Sequence, residues 1–318
     1  MLSFFEGDAT IFMLHRVFPR DANKLSANEN LKVSPEFLER FIVSALGSGY
    51  SFISLDELHS SLLKSKGNTK SIVITLDDGY ADNLIYAYPI FKKYNIPFAI
   101  YLTTAFPNRT ALLWWYLLED LIVENDTINL ADGLHFQCGK KWQKEAAFMA
   151  IRDKIINLPK QSFIDSLNRL FVNLQPDWQQ KISELAISWD QLKTLCKSPL
   201  VTIGAHTKNH HSLTKLTENQ IIDEVIGSKA IIESKLGTSV KHFCYPFGGQ
   251  NEAGVREFKL IKELGFDTAV TTRFGNIFPE HSAHLTSLPR VMLTDNFSWA
   301  TFHFRSFKQM LKGRVVSV

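Results

Sequence analysis

The 318-residue chain is 45% hydrophobic and 21% charged, a globular composition that excludes a disordered chain or a coiled coil. Its 35 basic and 32 acidic side chains leave a net charge of +3, too even a balance to argue for nucleic acid. Three cysteines (Cys138, Cys196 and Cys244) lie far apart, with no paired metal spacing and no even disulfide set, which points to a reducing compartment.

At the N-terminus, residues 1–17 lack a basic n-region, carry Glu6 and Asp8 early and offer no small-residue cleavage site. The expectation is a cytoplasmic protein without a signal peptide. The densest apolar run, Ala111–Leu118, is far shorter than the ~20 residues a spanning helix needs. Short β-rich runs alternate with helical patterns, the habit of an α/β fold with parallel strands. The predicted strands are Thr10–Leu14, Ser71–Leu76, Phe98–Leu102, Leu200–Gly204, Lys241–Tyr245, Thr268–Val270 and Ser287–Val291. The first five end next to a polar or glycine-containing stretch, where parallel α/β folds carry their active sites.

Helix ends are equally readable. Ser34-Pro35 opens one, with Phe37, Leu38, Phe41, Ile42 and Leu46 along one side. Thr217 with Gln220 forms a capping box, and Gly237 supplies the left-handed stop of that helix. Gly265 closes a third, Ala253–Leu264. Between Phe106 and Ser188 the rhythm breaks into a Trp-rich helix (Leu112–Glu124), a hairpin around Ala131–Gly133 and helices at Trp142–Asn157, Gln161–Val172 and Pro176–Ile187. This reads as an inserted helical subdomain. Trp114, Trp115 and Trp142 either bury in its own core or wall a ligand, the former being the ordinary use of tryptophan.

Chemistry-bearing residues gather at the strand ends. Ile72–Leu76 runs into Asp77-Asp78-Gly79, two neighbouring carboxylates that point to opposite sides of a strand and so suit different partners. An Asp-Gly turn is the plain alternative. After the fourth strand, His206 and His210 stand four apart, so one helical turn would bring both imidazoles to one face, as short metal-binding segments do. His211 points elsewhere. One carboxylate and two imidazoles make a three-ligand set that leaves a position open for water, with Asp77 left over as a general base. Tyr245-Pro246-Phe247-Gly248 is either a tight loop or a close backbone approach to a ligand, with the Tyr245 amide as an oxyanion donor. His15 is a structural histidine or a general acid. Arg290 is a surface arginine or the partner that holds Asp77 ionised.

These segments, in this order, resemble the NodB-homology polysaccharide deacetylases of carbohydrate esterase family four. Thr75-Leu76-Asp77-Asp78-Gly79 is similar to the family's TFDDG, with Leu76 in place of Phe, and His206-Thr-Lys-Asn-His210 fits H-[S/T]-x-x-H. Leu14-His15-Arg16-Val17, Tyr245-Pro246-Phe247-Gly248 and Leu288-Pro289-Arg290 resemble the branch that includes the poly-N-acetylglucosamine deacetylases. The resemblance covers roughly 11–102 and 189–293. It implies a distorted, incomplete (β/α)7-type barrel in two parts, 1–105 and 189–295; the helical insert at 106–188 and a C-terminal helix or tail at 296–318 lie outside the resemblance. It implies Asp77 as base, His15 as acid, Arg290 beside Asp77, and Asp78, His206 and His210 as ligands of a divalent metal. Zinc is the first choice, with cobalt or nickel used by some members. The ordinary C-terminal Leu-x-His acid motif is absent, which leaves the proton donor to His15.

The expected activity is removal of an N-acetyl group from an N-acetylhexosamine of a surface polysaccharide or a lipid-linked glycan intermediate. Pro246 and Gly248 are expected at the substrate, and the Tyr245 amide at the oxyanion. The alternatives are a catalytically inactive carbohydrate-binding barrel, an O-deacetylase or a small-amide metallohydrolase. The expected partner is a carbohydrate, with no nucleic acid and no obligate protein. The basic Lys308–Arg314 stretch and the Trp-rich insert allow a peripheral contact with the inner face of the membrane.

Overall fold

The structure is a computed structural model describing residues 7–64, 70–158, 162–174 and 176–315. Met1–Glu6, part of the stretch read as carrying no signal peptide, and the predicted helix start at Gln161 lie outside the described residues. The chain forms two compact units: residues up to Pro19, Lys32–Asn108 and Ala186 onward make the first, and Arg20–Leu31 with Arg109–Leu185 the second.

The first unit is built on one parallel sheet. Its strands, in chain order, are β1 (Ala9–Leu14), β2 (Ser51–Phe52), β3 (Ser71–Asp78), β4 (Phe98–Leu102), β5 (Val201–Ala205), β6 (His242–Cys244), β7 (Thr268–Val270) and β8 (Val291–Met292). Seven lie in the order β7-β6-β5-β4-β3-β1-β8, and β2 pairs with the first residues of β3. Every ladder is parallel, and all residues of β1 and β3 are buried, as strands covered on both faces require. The segment after Ser287 bonds both ends of the sheet: Leu288 bridges Val270 of β7, and Val291 pairs with Phe12 of β1. This is the distorted, incomplete (β/α)7-type barrel that the resemblance implied, and Arg290 sits in the segment linking its two edges.

Strand periodicity divides the core. Ile72, Ile74 and Leu76 of β3, with Phe98, Ile100 and Leu102 of β4, pack with helix residues such as Leu38, Phe41, Ile221 and Val225. Ile11, Val73, Tyr101, Cys244 and Val270 point the other way, into a separate inner cluster. Asp77 has the parity of Val73 and Thr75, so the backbone aims it inward. The helices form where their caps predicted. Ser34 accepts from the Phe37 amide at the head of Pro35–Gly47, and its buried Leu38, Phe41 and Ile42 each contribute about 1.5–3 kcal/mol. The Thr217–Gln220 box opens Glu218–Leu236, and Gly237 ends it at φ 65°. Predicted Ser287–Val291 is a strand only at Val291–Met292, because Leu288 and Arg290 bond towards Ala269, Thr271 and Arg273 instead.

The second unit has its own core of Leu117, Leu118, Ile122, Phe148, Ile151, Ile155, Leu167 and Phe171. The short strands Thr127–Asn129 and His135–Gln137 form an antiparallel hairpin. Residues 20–31, read from sequence as part of the first barrel segment, lie in this unit. Leu25 enters its core, the Leu25 amide donates to Glu119 at 2.7 Å and Lys24 pairs with Asp120 at 2.5 Å. Trp114 and Trp115 pack against that core, whereas Trp142 is 67% exposed and takes no part in it. Position 142 lies on the first turn of Lys141–Ile156, whose buried stripe is Ala147, Phe148, Ile151 and Ile155.

Candidate active site

The carboxyl ends of β1, β3, β5 and β6, with the residue just before β8, deliver the candidate residues. Register places Leu14 beside Leu76, so His15 follows at the level of Asp77. Asp77 is paired with Arg290 through two parallel bonds, Nη1 to Oδ1 and Nη2 to Oδ2, both 2.7 Å, with both side chains buried. Arg290 also donates from Nε to the Thr271 carbonyl (2.9 Å), from Nη1 to Thr75 Oγ1 (3.1 Å) and from Nη2 to Cys244 Sγ (3.1 Å). All five guanidinium N–H groups are therefore engaged. Burial opposes the charge on Asp77, but the Arg290 guanidinium overrides it and holds the carboxyl below its ordinary range.

Asp78 faces a different set. It ends β3 at φ 76°, and Gly79 follows at φ 114°, where a Cβ would meet Leu102 Cδ1 at 2.6 Å. The chain turns here, carrying the second carboxylate towards the loop after β5. Asp78 Oδ1 lies 3.5 Å from His206 Nε2 and 3.4 Å from His210 Nε2, and it is buried with no hydrogen-bond partner. Burial opposes its charge as well, and the two imidazoles hold it ionised.

The two histidines meet, but the helical spacing expected of them is not the reason. Residues 206–212 form a loop, with Thr207 at φ 65° and His210 at φ 57°. The two ring centroids are 4.9 Å apart. Glu224, on the helix Glu218–Leu236, holds this loop from below. Its carboxylate accepts from the Lys208 and Asn209 amides (3.0 and 2.9 Å) and from Asn209 Nδ2 (2.6 Å). Thr103 Oγ1 donates to the His206 carbonyl at 2.8 Å. His206 Nδ1–H donates to the Cys244 carbonyl at 2.7 Å, which turns Nε2 towards Asp78. Burial and the neighbouring His206 push His210 down to about 4 despite Asp78, so its ring is neutral at pH 7. His211 is exposed and apart from the cluster.

Asp78, His206 and His210 are thus three ligand-type side chains whose donor atoms all lie within 4.8 Å of one another. A tetrahedral ion with bonds of about 2.0–2.1 Å separates its donor atoms by roughly 3.3–3.4 Å, close to the spacings around Asp78 Oδ1. The orphaned carboxylate oxygen, the fixed His206 tautomer and the mixed N/O donor set all fit a divalent cation.

Four of the seven non-glycine residues with positive φ among the described residues belong to this centre: Asp78, Thr207, His210 and Phe247. Such clustering of costly backbone states is typical of functional sites.

His15 is half-buried, and its Nδ1 is without a hydrogen-bond partner. Its segment is tied to the loop after β3. Asn83 Nδ2 donates to the His15 carbonyl at 3.1 Å, and buried Arg16 pairs with Asp82 at 2.6 Å. Sequence reasoning passed over Asp82, Asn83 and Glu224. The signal available for the first two was their position just after Asp77-Asp78-Gly79; Glu224 had none, because helix folding brings it to the loop.

The Tyr245 expectation needs correction. Its amide is engaged with the Val270 carbonyl at 3.2 Å, a bond of the sheet, and its buried hydroxyl donates to the Thr286 carbonyl. It has no free amide for an oxyanion. Pro246 and Gly248 are buried too, and the Gly248 amide closes on the Pro246 carbonyl at 2.8 Å. The residue of this loop that reaches solvent is Phe247.

The sequence profile of the polysaccharide deacetylase family matches residues 64–269, well over half of the chain, and the protein belongs to that family. Over 81 residues it is 31% identical to YxkH of Bacillus subtilis, which carries a polysaccharide deacetylase name. That match takes in 25% of this chain and 29% of the relative, so less than a third of the relative is spanned. Among solved structures, the deacetylase PplD of Streptococcus pyogenes, in complex with acetate, aligns with a TM-score of 0.62 at 18% identity, over 97% of this chain and 98% of that one. IcaB of Ammonifex degensii aligns at 0.59 and 17% identity, over 94% and 96% of the two chains. A de-N-acetylase of Aggregatibacter actinomycetemcomitans aligns at 0.59 and 16%, over 92% and 97%. At these identities the likeness concerns the fold.

Proposed function

We propose that the protein is a divalent-metal-dependent hydrolase that removes an N-acetyl group from an N-acetylhexosamine of a surface polysaccharide or a lipid-linked glycan intermediate. The observation that carries this reading is the buried, unpartnered Asp78 Oδ1, 3.5 and 3.4 Å from two imidazole nitrogens and one residue from a second, separately held carboxylate. Asp78, His206 and His210 would hold the cation, zinc by choice of ligands, with cobalt or nickel as substitutes. When bound, such a cation supplies Lewis acidity towards a carbonyl oxygen and lowers the pKa of water.

The protein's own groups divide the remaining work. Asp77, kept ionised by Arg290, takes a proton from the attacking water at a carboxylate oxygen. Attack converts the amide carbon to a tetrahedral centre whose oxygen gathers negative charge. Phe247 supports that oxygen through its amide, which donates to no carbonyl or side chain in the described structure. His15 gives a proton to the departing nitrogen, which leaves as the free amine while acetate is released.

Acetate release from acetylated oligosaccharides tests the reading. Asp77→Asn lowers turnover about 10²–10⁴-fold while cation content stays unchanged; an Asp77→Asn protein of native activity would remove the base assignment. In the same assay O-acetylated glycans and simple acetamides separate the N-deacetylase from its alternatives. The His206→Ala/His210→Ala protein, measured by elemental analysis, loses the cation; full occupancy there sinks the ligand assignment.

For location we propose the cytoplasmic side of a membrane. The free state of Cys138, Cys196 and Cys244 supports a reducing compartment. No helix of the described residues is long and apolar enough to cross a membrane. The C-terminal helix Trp299–Lys312 supports peripheral contact: Phe304 (57%) and Leu311 (68%) are exposed beside Lys308 and Lys312, with no acidic residue in the helix. Sedimentation with vesicles containing anionic lipid should carry the protein down, and a Phe304→Glu/Leu311→Glu protein should stay in the supernatant. Native protein left in the supernatant ends this part of the proposal.

A further inference from the structure

We propose that His242 and Asp56 hold a second divalent cation, of the zinc type, at the amino end of the barrel strands, away from the candidate active site. The inference is independent of the hydrolase reading and uses none of its residues. Three observations lead to it.

The first is an orphaned imidazole. His242 opens β6 with the parity of Cys244, so strand alternation aims both side chains into the barrel, Cys244 towards Asp77 and His242 two residues nearer the opposite end. The His242 side chain is buried, yet its Nε2 makes no hydrogen bond. Buried polar atoms in that state are uncommon and need an explanation. Thr268 Oγ1, on the neighbouring β7, holds Nδ1 at 2.8 Å and so fixes the direction of Nε2. Burial keeps the ring below its ordinary range and therefore neutral at pH 7, the form that binds metals.

The second is spacing. Nε2 faces Asp56, on the first turn of the helix Leu55–Leu63, at 3.5 Å from Oδ1. Asp78 Oδ1 and His206 Nε2 stand at the same separation. It is close to the ~3.3–3.4 Å between neighbouring donors around a tetrahedral ion, so one cation would satisfy both atoms. Imidazole nitrogen with carboxylate oxygen suits zinc and its first-row neighbours better than magnesium or calcium.

The third is space and charge. A cavity of about 380 Å³ adjoins the pair, lined also by Thr202, Thr238, Ser239 and Lys241. It has room for the waters that complete a shell, each taking roughly 30 Å³. Leu236 and Gly237, at the carboxyl end of the helix Glu218–Leu236, line it too, and that pole favours a cation. Asp56 and Asp267 both bring negative charge to His242. Lys241 Nζ, half exposed, lies 3.5 Å from the same Asp56 oxygen and competes for it. With two protein donors instead of three, this site fills after the one at Asp78 and empties on desalting.

The test titrates zinc alone into the full-length His206→Ala/His210→Ala protein, in which the first site is gone. Calorimetry should show one zinc bound per chain. Adding His242→Gln or Asp56→Asn should weaken that binding at least about tenfold and abolish the rise in melting temperature that zinc causes. Asp56 is half exposed, so its variant keeps the test open even if loss of buried His242 unfolds the barrel. Lys241→Met removes the competing ammonium and should tighten binding about two- to fivefold. Absence of binding overturns the proposal, as does zinc affinity that survives Asp56→Asn or falls in Lys241→Met. Acetate release enters none of these readings, so the second site and the hydrolase reading stand or fall separately.

Discussion

Asp77 and Asp78 are neighbours in the chain, yet the halves of the site around them are built on different terms. Around Asp77 the protein is finished: two carboxylate oxygens meet two guanidinium nitrogens, and the other three N–H groups of Arg290 end on Thr271, Thr75 and Cys244. Around Asp78 it is unfinished. A carboxylate oxygen is buried without a hydrogen bond, and three of the residues that shape this half hold positive φ. A protein interior tolerates an orphaned charge of this kind only where something else completes it. The first half satisfies its own charges within the protein, and the second has the geometry that fits the cation proposed for it.

The largest expected effect lies on the finished side. Arg290→Ala leaves Asp77 buried and unpaired, which costs about 3–5 kcal/mol. Denaturant unfolding would read that loss, and a variant within 1 kcal/mol of the native protein would mean that solvent or another group can replace the guanidinium. On the unfinished side the effect depends on the cation. Without it, Asp78→Asn should cost less than Arg290→Ala, since Asp78 Oδ1 has no hydrogen bond to lose. With a cation at a hundred times its Kd, the native protein gains about 2.7 kcal/mol and Asp78→Asn gains none. Equal melting shifts in the two proteins would erase the contrast.

Glu224→Ala removes three hydrogen bonds from the loop that presents the histidines. Cation affinity should fall about 10–100-fold, as when a group supporting metal ligands is lost. Titration by calorimetry would read this, and native affinity would show that the strained loop holds itself. The smallest effect is one of pH. Asp77 titrates below its ordinary value of 3.8 in the native protein, so its contribution to stability is complete above that value. It should drain away as the pH falls through the lowered native pKa. In Asp77→Asn, stability of the cation-free protein should vary less with pH below 4; parallel curves would show that Arg290 does not lower the Asp77 pKa.

Much of this contrast was visible before any coordinates. The β-branched run Ser71–Leu76 announced a buried strand ending in two carboxylates, and alternation along a strand sent Asp77 and Asp78 to different partners. The Thr217–Gln220 box and the glycine at 237 delimited a helix, because caps depend on residues three or four apart. The family resemblance then joined strand ends that are far apart in the chain. Elsewhere local rules misled. The spacing of His206 and His210 suggested one helical turn, while a loop with two left-handed residues brings the rings together. The Tyr-Pro-Phe-Gly run suggested a free Tyr245 amide, but β6 and β7 pair and that amide is used.

What the sequence determined alone is the inventory: which residue types stand at which strand ends, where helices start and stop, and which carboxylate follows which. Those features depend on the bonding of near neighbours and on a period of two or 3.6 residues. Only the tertiary structure decided availability: that Asp78 Oδ1 is unpaired, that the Tyr245 amide is taken, that Glu224 reaches the histidine loop and that residues 20–31 pack with the second unit. Whether a polar group is satisfied depends on partners 15 to more than 200 positions away, as with Glu224 and Arg290, and these meet only when the sheet assembles.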